Sequence, residues 1–296
     1  MLTFSQAIIL GLLQGIAELF PISSLGHTIL IPGLLGWHIN TNAEGVIEFL
    51  VATHFATALV LFFIYIKDWS LIARGMGRSL RDRDIAPSNH YGKLGWLLVV
   101  ATIPAGILGL LFKDQLTALF VSPRSAAAFL VVNGFMLFGV EMLRRKRSKE
   151  ISMMMATETK HEPEKIVGGD ARLARMTWRQ SVGIGCMQIL ALIPGMSRTG
   201  STIAGGLFQK LSHEDALRFS FLLATPIIGA AALLELPPLL ASGGAELRIA
   251  FAGAAAAAIG AYFATKVLVR YFKTQTLLPF AIYCAAMGAL GLILLR

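Results

Sequence analysis

The chain has 296 residues, 55% of them hydrophobic and only 15% charged, with a formal charge of +9. Soluble domains carry about 25% charged residues, so the composition excludes an ordinary soluble enzyme and describes an integral membrane protein with room for several spans of about 20 residues each. The surplus of Lys and Arg is read as basic loops on one membrane face, not as a nucleic-acid surface.

In chain order, residues 4–35 are apolar but cut at Pro21-Ile-Ser-Ser24. The N-terminus lacks the basic segment of a cleavable signal peptide. A span is expected over 46–66, then a basic stretch, 67–92, holding Lys67, Arg74, Arg78, Arg81 and Arg83. Spans at 94–112 and 125–143 flank a loop, 113–124, whose only cations are Lys113 and Arg124. Residues 144–176 are basic again, from Arg144-Arg-Lys-Arg147 to Arg175. The segment 178–208 is once more apolar but cut, at Pro194-Gly-Met-Ser197, and spans follow at 216–236, 247–268 and 277–295. Broken backbone at membrane depth is tolerated only where protein or a water-filled cavity surrounds it. Both cut segments are therefore expected to be re-entrant and to line one cavity.

Two spans separate the basic stretches, so 67–92 and 144–176 both fall in the cytoplasm. The connections 34–45 and 237–246 contain no Lys or Arg and fall outside. Arg144-Arg-Lys-Arg147 is read as a topology determinant against anionic lipid heads. Cys186 and Cys284 lie far apart in apolar surroundings. They read as packing residues without metal-site spacing. His38, His90, His161 and His213 sit in loops or at ends and are expected to be solvated. His54 lies within a span, where a histidine tends to face the interior.

An internal repeat appears at an offset of 174 residues. Thr3 falls on Thr177, Gln6 on Gln180, Gly11 on Gly185, Gln14 on Gln188, Ser23 on Ser197, Gly26 on Gly200 and Thr28 on Thr202. Each half then holds one re-entrant pair and three crossings. Three crossings change side, so the second half enters from the opposite face. The expected fold is an all-α polytopic membrane protein, an inverted-topology repeat of residues 1–146 and 178–296 joined by a cytoplasmic linker, 147–177. Its breaks meet near the midplane, where such folds place their sites.

The residues at the breaks suit phosphoryl transfer. Ser197-Arg198-Thr199-Gly200-Ser201-Thr202 opens a new apolar helix with hydroxyls and free N–H groups, an anion cradle at the positive end of the helix dipole. Arg198 adds a planar fork suited to phosphate. A central arginine is disfavoured by about 2.5–3.5 kcal/mol on insertion scales, which makes it a functional residue by default. Gln14 and Glu18, four apart, share a helix face that leads to Ser23, Ser24 and His27. Either serine can attack phosphorus, and His27 or Glu18 can move the proton. Ser24 is favoured as the nucleophile because Ser23 aligns with Ser197 of the anion cradle, whereas Ser24 aligns with Arg198. Ser23, Gln14, Ser197, Thr199, Gly200, Ser201 and Thr202 are then the phosphate-binding set. Glu18 with diphosphate oxygens could hold one divalent ion.

Gln14-Gly-Ile-Ala-Glu18-Leu-Phe-Pro-Ile-Ser-Ser24-Leu-Gly-His27 and Pro194-Gly-Met-Ser-Arg-Thr-Gly-Ser-Thr202 resemble the two signatures of the undecaprenyl-diphosphate phosphatase family, the bacitracin-resistance type. Residues 102–112 and 219–226 are also similar to it, and the resemblance covers most of the chain outside 147–177. Three positions depart from the family pattern. Leu25 stands where Thr is frequent, Thr199 stands where Ser is, and Gln14 fills a Glu/Gln position, which leaves Glu18 the single motif carboxylate. The resemblance implies hydrolysis of undecaprenyl diphosphate, a long-chain polyprenyl diphosphate lipid, to undecaprenyl phosphate and inorganic phosphate. It further implies a site opening to the outer face of the bacterial cytoplasmic membrane, help from a divalent cation such as Mg or Ca, and the recycling of the cell-wall lipid carrier. The reading leaves room for a homodimer. The competing reading is a polyprenyl-phosphate transporter or flippase, since inverted repeats with broken helices are the usual transporter architecture.

Overall fold

The computed structural model describes the chain apart from residues 1, 38, 40–43, 113–121, 158–168, 242–243 and 296. The described residues are helical throughout, without strands. The loop expected at 113–124 lies largely outside them, as do His38, His161 and part of the 34–45 connection.

The first break is written in local sequence. Helix α1 (Phe4–Leu19) starts at a capping box in which Thr3 and Gln6 satisfy each other's backbone N–H. It stops at Phe20, held extended before Pro21. Helix α2 (Ser24–Leu34) begins after Ser23, whose hydroxyl accepts from the Gly26 N–H. Ser23 has φ 69°, one of few non-glycine residues with positive φ. Such a conformation costs about 1–3 kcal/mol and persists where its surroundings impose it, often at functional sites.

Helices α3 (Glu44–Ile64), α5 (His90–Leu111) and α6 (Pro123–Thr157) occupy the expected spans of the first half. Between α3 and α5 the structure departs from the sequence reading. The basic stretch is not a loop but helix α4 (Ile66–Asp82), bent 79° from α3. Tyr65, Trp69, Ile72 and Met76 recur at helical spacing and pack into the core, whereas Lys67, Arg74, Arg78 and Arg81 stay exposed. Asn89 fastens α5 to α4 by donating to the Gly75 carbonyl at 2.8 Å, and Trp96 donates to Ser79 Oγ at 2.8 Å. Helix α6 likewise runs on to Thr157, so the first eleven positions of the expected linker, 147–157, continue a helix.

The short helix α7 (Gly169–Ala174) precedes the second broken segment. Helix α8 (Trp178–Gln188) opens with the same capping box, Thr177 with Gln180. It tightens into a 3-10 turn (Ile189–Leu192) and stops before Pro194. Helix α9 (Arg198–Phe208) is capped by Ser197, whose Oγ accepts from the Gly200 N–H at 3.0 Å. Here the positive φ falls on Gly195, at 94°, where an added Cβ would lie 2.2 Å from the Ala126 carbonyl of α6. Helices α10 (His213–Ala241), α11 (Gly244–Tyr271) and α12 (Leu278–Leu294) complete the chain. Among the described residues three helices are long and apolar enough to cross a membrane, or four when the bent pair α3–α4 counts as one. Leu278–Leu294 is apolar but only 17 residues long.

The partners of each broken segment pack on each other, and the segments are flanked by spans: α1 lies on α11 and α8 on α5. Close approach is possible because the contacting residues are small. A Cβ on Gly11 would come 2.2 Å from the Gly253 carbonyl, one on Gly15 2.0 Å from that of Ala257, and one on Gly185 2.3 Å from that of Ala101. Small residues four apart are the usual device for joining membrane helices. His213 is buried, contrary to expectation. Its Nε2 lies 2.8 Å from Glu141, which also receives Arg144 and Arg145 and ties α6 to α10.

Candidate active site

The breaks are fastened together by backbone as well as side chains. Thr199 Oγ1 donates to the Glu18 carbonyl at 2.9 Å, and Ser197 Oγ to the Phe20 carbonyl at 3.4 Å. Asn133, fully buried on α6, bridges both: its Nδ2 donates to the Pro21 carbonyl at 3.1 Å and its Oδ1 accepts from the Ser197 N–H at 3.1 Å. A lone Asn inside an apolar span is the sequence signal for such a role. Asn133→Leu should leave the buried Ser197 N–H without its acceptor, at about 1–3 kcal/mol, and the Pro21 carbonyl with only the weak Cys284 Sγ donor at 3.7 Å. The expected outcome is a lower melting temperature in detergent together with reduced turnover, read from a thermal melt and an activity assay on the same preparation.

Glu18 is the hub of the site. The Ser24 hydroxyl donates to Oε2 and Arg198 Nη2 donates to Oε1 at 2.5 Å. His54 on α3 brings Nε2 to 3.4 Å from Oε2, while its Nδ1 sits 2.7 Å from the Leu50 carbonyl. Arg198 uses only part of its fork, for Nη1 is buried with no hydrogen-bond partner among the described residues. These groups open onto a cavity of about 400 Å³ whose remaining wall is largely apolar, including Leu25, Val51, Ile227 and Ile228. A carboxylate, a hydroxyl bonded to it and a guanidinium N–H unsatisfied among the described residues, on the wall of a largely apolar pocket, are groups that can serve as proton acceptor, nucleophile and charge clamp.

Of the residues expected at the site, Glu18, Ser23, Ser24, Ser197 and Arg198 line this cavity. The others do not. Gln14 is fully buried and accepts from Thr57 Oγ1 at 3.3 Å. His27 is fully buried, its Nδ1 2.7 Å from the Ser23 carbonyl and its Nε2 2.8 Å from the Tyr283 hydroxyl, with the two rings stacked. Both imidazole nitrogens are thus occupied in holding the break, and the histidine beside Glu18 is His54. Gly200 spends its N–H on the Ser197 cap, Thr202 bonds the Arg198 carbonyl at 2.9 Å and Ser220 Oγ, and Ser201 Oγ is buried and unpaired among the described residues. Gln188 also lines the cavity. Neither break motif contains it, and its one signal in the sequence is the 174-residue offset that pairs it with Gln14.

The donor set bears on a divalent cation. Among the described residues no three His, Cys, Asp or Glu side chains gather as a metal cage. Glu18, the single carboxylate on the cavity wall among the described residues, already lies against Arg198 and beside His54. These residues do not fit a dication held by the protein itself.

Known proteins resemble this chain over nearly its whole length. Residues 7–290 match the family model described as bacitracin resistance protein BacA. The chain is 43% identical over 301 residues to the "Undecaprenyl-diphosphatase" of Mycolicibacterium paratuberculosis, covering 99% of this chain and 97% of the relative. It is 41% identical to "Undecaprenyl-diphosphatase 2" of Frankia alni, covering 98% and 97%, and 38% identical to "Undecaprenyl-diphosphatase 2" of Chromobacterium violaceum, covering 97% of each. With nearly its whole length matched, including both broken segments and the residues around Glu18, the chain belongs to the BacA bacitracin-resistance family.

Proposed function

We propose that this protein is a membrane hydrolase that cleaves undecaprenyl diphosphate to undecaprenyl phosphate and inorganic phosphate, returning the lipid carrier to cell-wall synthesis. The observation that carries the reading is Glu18 holding the Ser24 hydroxyl and Arg198 together in one apolar cavity. The apolar wall suits a prenyl chain, and the polar end suits its diphosphate. Ser24 Oγ attacks the terminal phosphorus as Glu18 takes its proton. Arg198 turns its free N–H to the equatorial oxygens, where charge builds up. The bridging P–O bond breaks and prenyl phosphate leaves, with the phosphoryl group on Ser24. Any Mg or Ca ion is proposed to arrive on the diphosphate oxygens.

A transporter of prenyl phosphate would need the arginine and the N–H groups but not a hydroxyl bonded to a carboxylate. The discriminating experiment is phosphate release from a long-chain prenyl diphosphate by the purified protein in detergent, where no compartments exist to transport between. Hydrolysis is expected. Binding without phosphate release would sink the reading.

The proposed arrangement is an inverted repeat with the site open to the outer face of the cytoplasmic membrane. The matching caps at Thr3 and Thr177, the close contacts of Gly11 and Gly185 and the serine caps of α2 and α9 support the repeat. The exposed cations of α4 support the orientation. In a background with the exposed Cys186 replaced by serine, Ser122→Cys should be labelled on intact cells by a thiol reagent that cannot cross the membrane, and Ser88→Cys should be protected. The reverse pattern would invert the topology.

A further inference from the structure

Gln188 is the last residue of α8 and lines the catalytic cavity. It is 2% exposed, and neither Nε2 nor Oε1 has a hydrogen-bond partner among the described residues. Buried side-chain amides are nearly always paired, and one left alone bears the whole desolvation penalty of the group. Gln188 leaves a donor and an acceptor open at once, on the wall it shares with Ser24 and Arg198. Its repeat mate Gln14 accepts from Thr57 on α3 through Oε1, away from the cavity, while its buried Nε2 has no partner among the described residues. The acceptor oxygen is therefore occupied in one half and left open on the cavity wall in the other.

The pair of open valences narrows the ligand. A phosphoryl oxygen only accepts, so it can use Nε2 but not Oε1. Oε1 needs a donor beside that oxygen, and a water molecule is one. A planar amide that donates to a phosphoryl oxygen and accepts from water holds the water against phosphorus, the way a glutamine orients the attacking water in nucleotide hydrolases.

We infer that Gln188 positions the water that releases phosphate from Ser24. This rests on the covalent route proposed above. The water oxygen bonds to phosphorus as the Ser24 Oγ–P bond breaks. Glu18 returns to Oγ the proton it took in the first step, and both water hydrogens leave on inorganic phosphate as H2PO4⁻. Gln188 exchanges no proton. Its loss slows this second step and spares the first.

The test uses the full-length protein in detergent and a long-chain prenyl diphosphate labelled in its terminal phosphate, sampled by rapid acid quench. Gln188→Met, close in volume but apolar, is compared with Gln188→Ala. The first turnover should release prenyl phosphate at the wild-type rate, release of labelled phosphate should fall about 10²-fold, and label should accumulate on the protein. Equal slowing of both products, or unchanged phosphate release, would overturn the assignment. So would loss of the folded protein in both variants, which marks a purely structural amide. Failure of the covalent route has a different signature: Ser24→Ala then turns over, and no labelled protein forms in any variant.

Discussion

Ser24→Ala should lower kcat by about 10³-fold or more while KM changes little, the pattern expected when an interaction made only in the transition state is removed. The Ser24 hydroxyl is the one hydroxyl bonded to the site's carboxylate among the described residues. It lies on the first residue of α2, where the strained Ser23 backbone turns it into the cavity. Ser23→Ala should behave differently. That hydroxyl accepts from the Gly26 N–H at 3.2 Å as the cap of α2, so its loss should cost about 1 kcal/mol of stability and a smaller part of kcat. A thermal melt beside steady-state kinetics for the two variants separates the roles. Comparable kcat losses would mean that Ser24 is not special, and robust turnover by Ser24→Ala would favour direct attack by water.

Arg198→Lys should lose about 10²–10³-fold in kcat although the charge is kept. In the proposed mechanism the guanidinium does two things at once: Nη2 holds Glu18 at 2.5 Å, and the buried Nη1, unpaired among the described residues, turns to phosphate. An ammonium is a point charge without a planar fork and cannot span both partners in that geometry. The prediction is checked by kcat and KM for the prenyl diphosphate and by competition with inorganic phosphate. Near wild-type turnover in Arg198→Lys would remove the clamp from the mechanism.

Much of the fold is legible in the sequence because it is local. Pro21 and Pro194 mark the breaks, Ser23 and Ser197 cap the helices α2 and α9, and Thr3-x-x-Gln6 and Thr177-x-x-Gln180 announce the helix starts. Helix α4 is hidden because its many charges suggest a loop, although Trp69, Ile72 and Met76 keep a helical spacing. Side-chain destinations are harder. Gln14 and Glu18 do share a face of α1, yet Gln14 meets Thr57 while Glu18, one turn nearer the break, meets Ser24 and Arg198. His27 lies one turn beyond Ser24 but bonds back to the carbonyl of Ser23, the residue whose hydroxyl caps its own helix, and to Tyr283. The groups that complete the site, His54 from α3 and Asn133 from α6, come from distant spans. No local pattern records which span packs where.

The measurement that bears most directly on the account is the fate of the terminal phosphate in the first turnover. Wild-type protein and a long-chain prenyl diphosphate labelled at that phosphate are mixed, quenched in acid within the first turnover and digested, and the label is located by peptide mapping. Label is expected covalently bound to the peptide carrying Ser24, and none in Ser24→Ala. Label found only as free phosphate, with Ser24→Ala turning over near the wild-type rate, would contradict it.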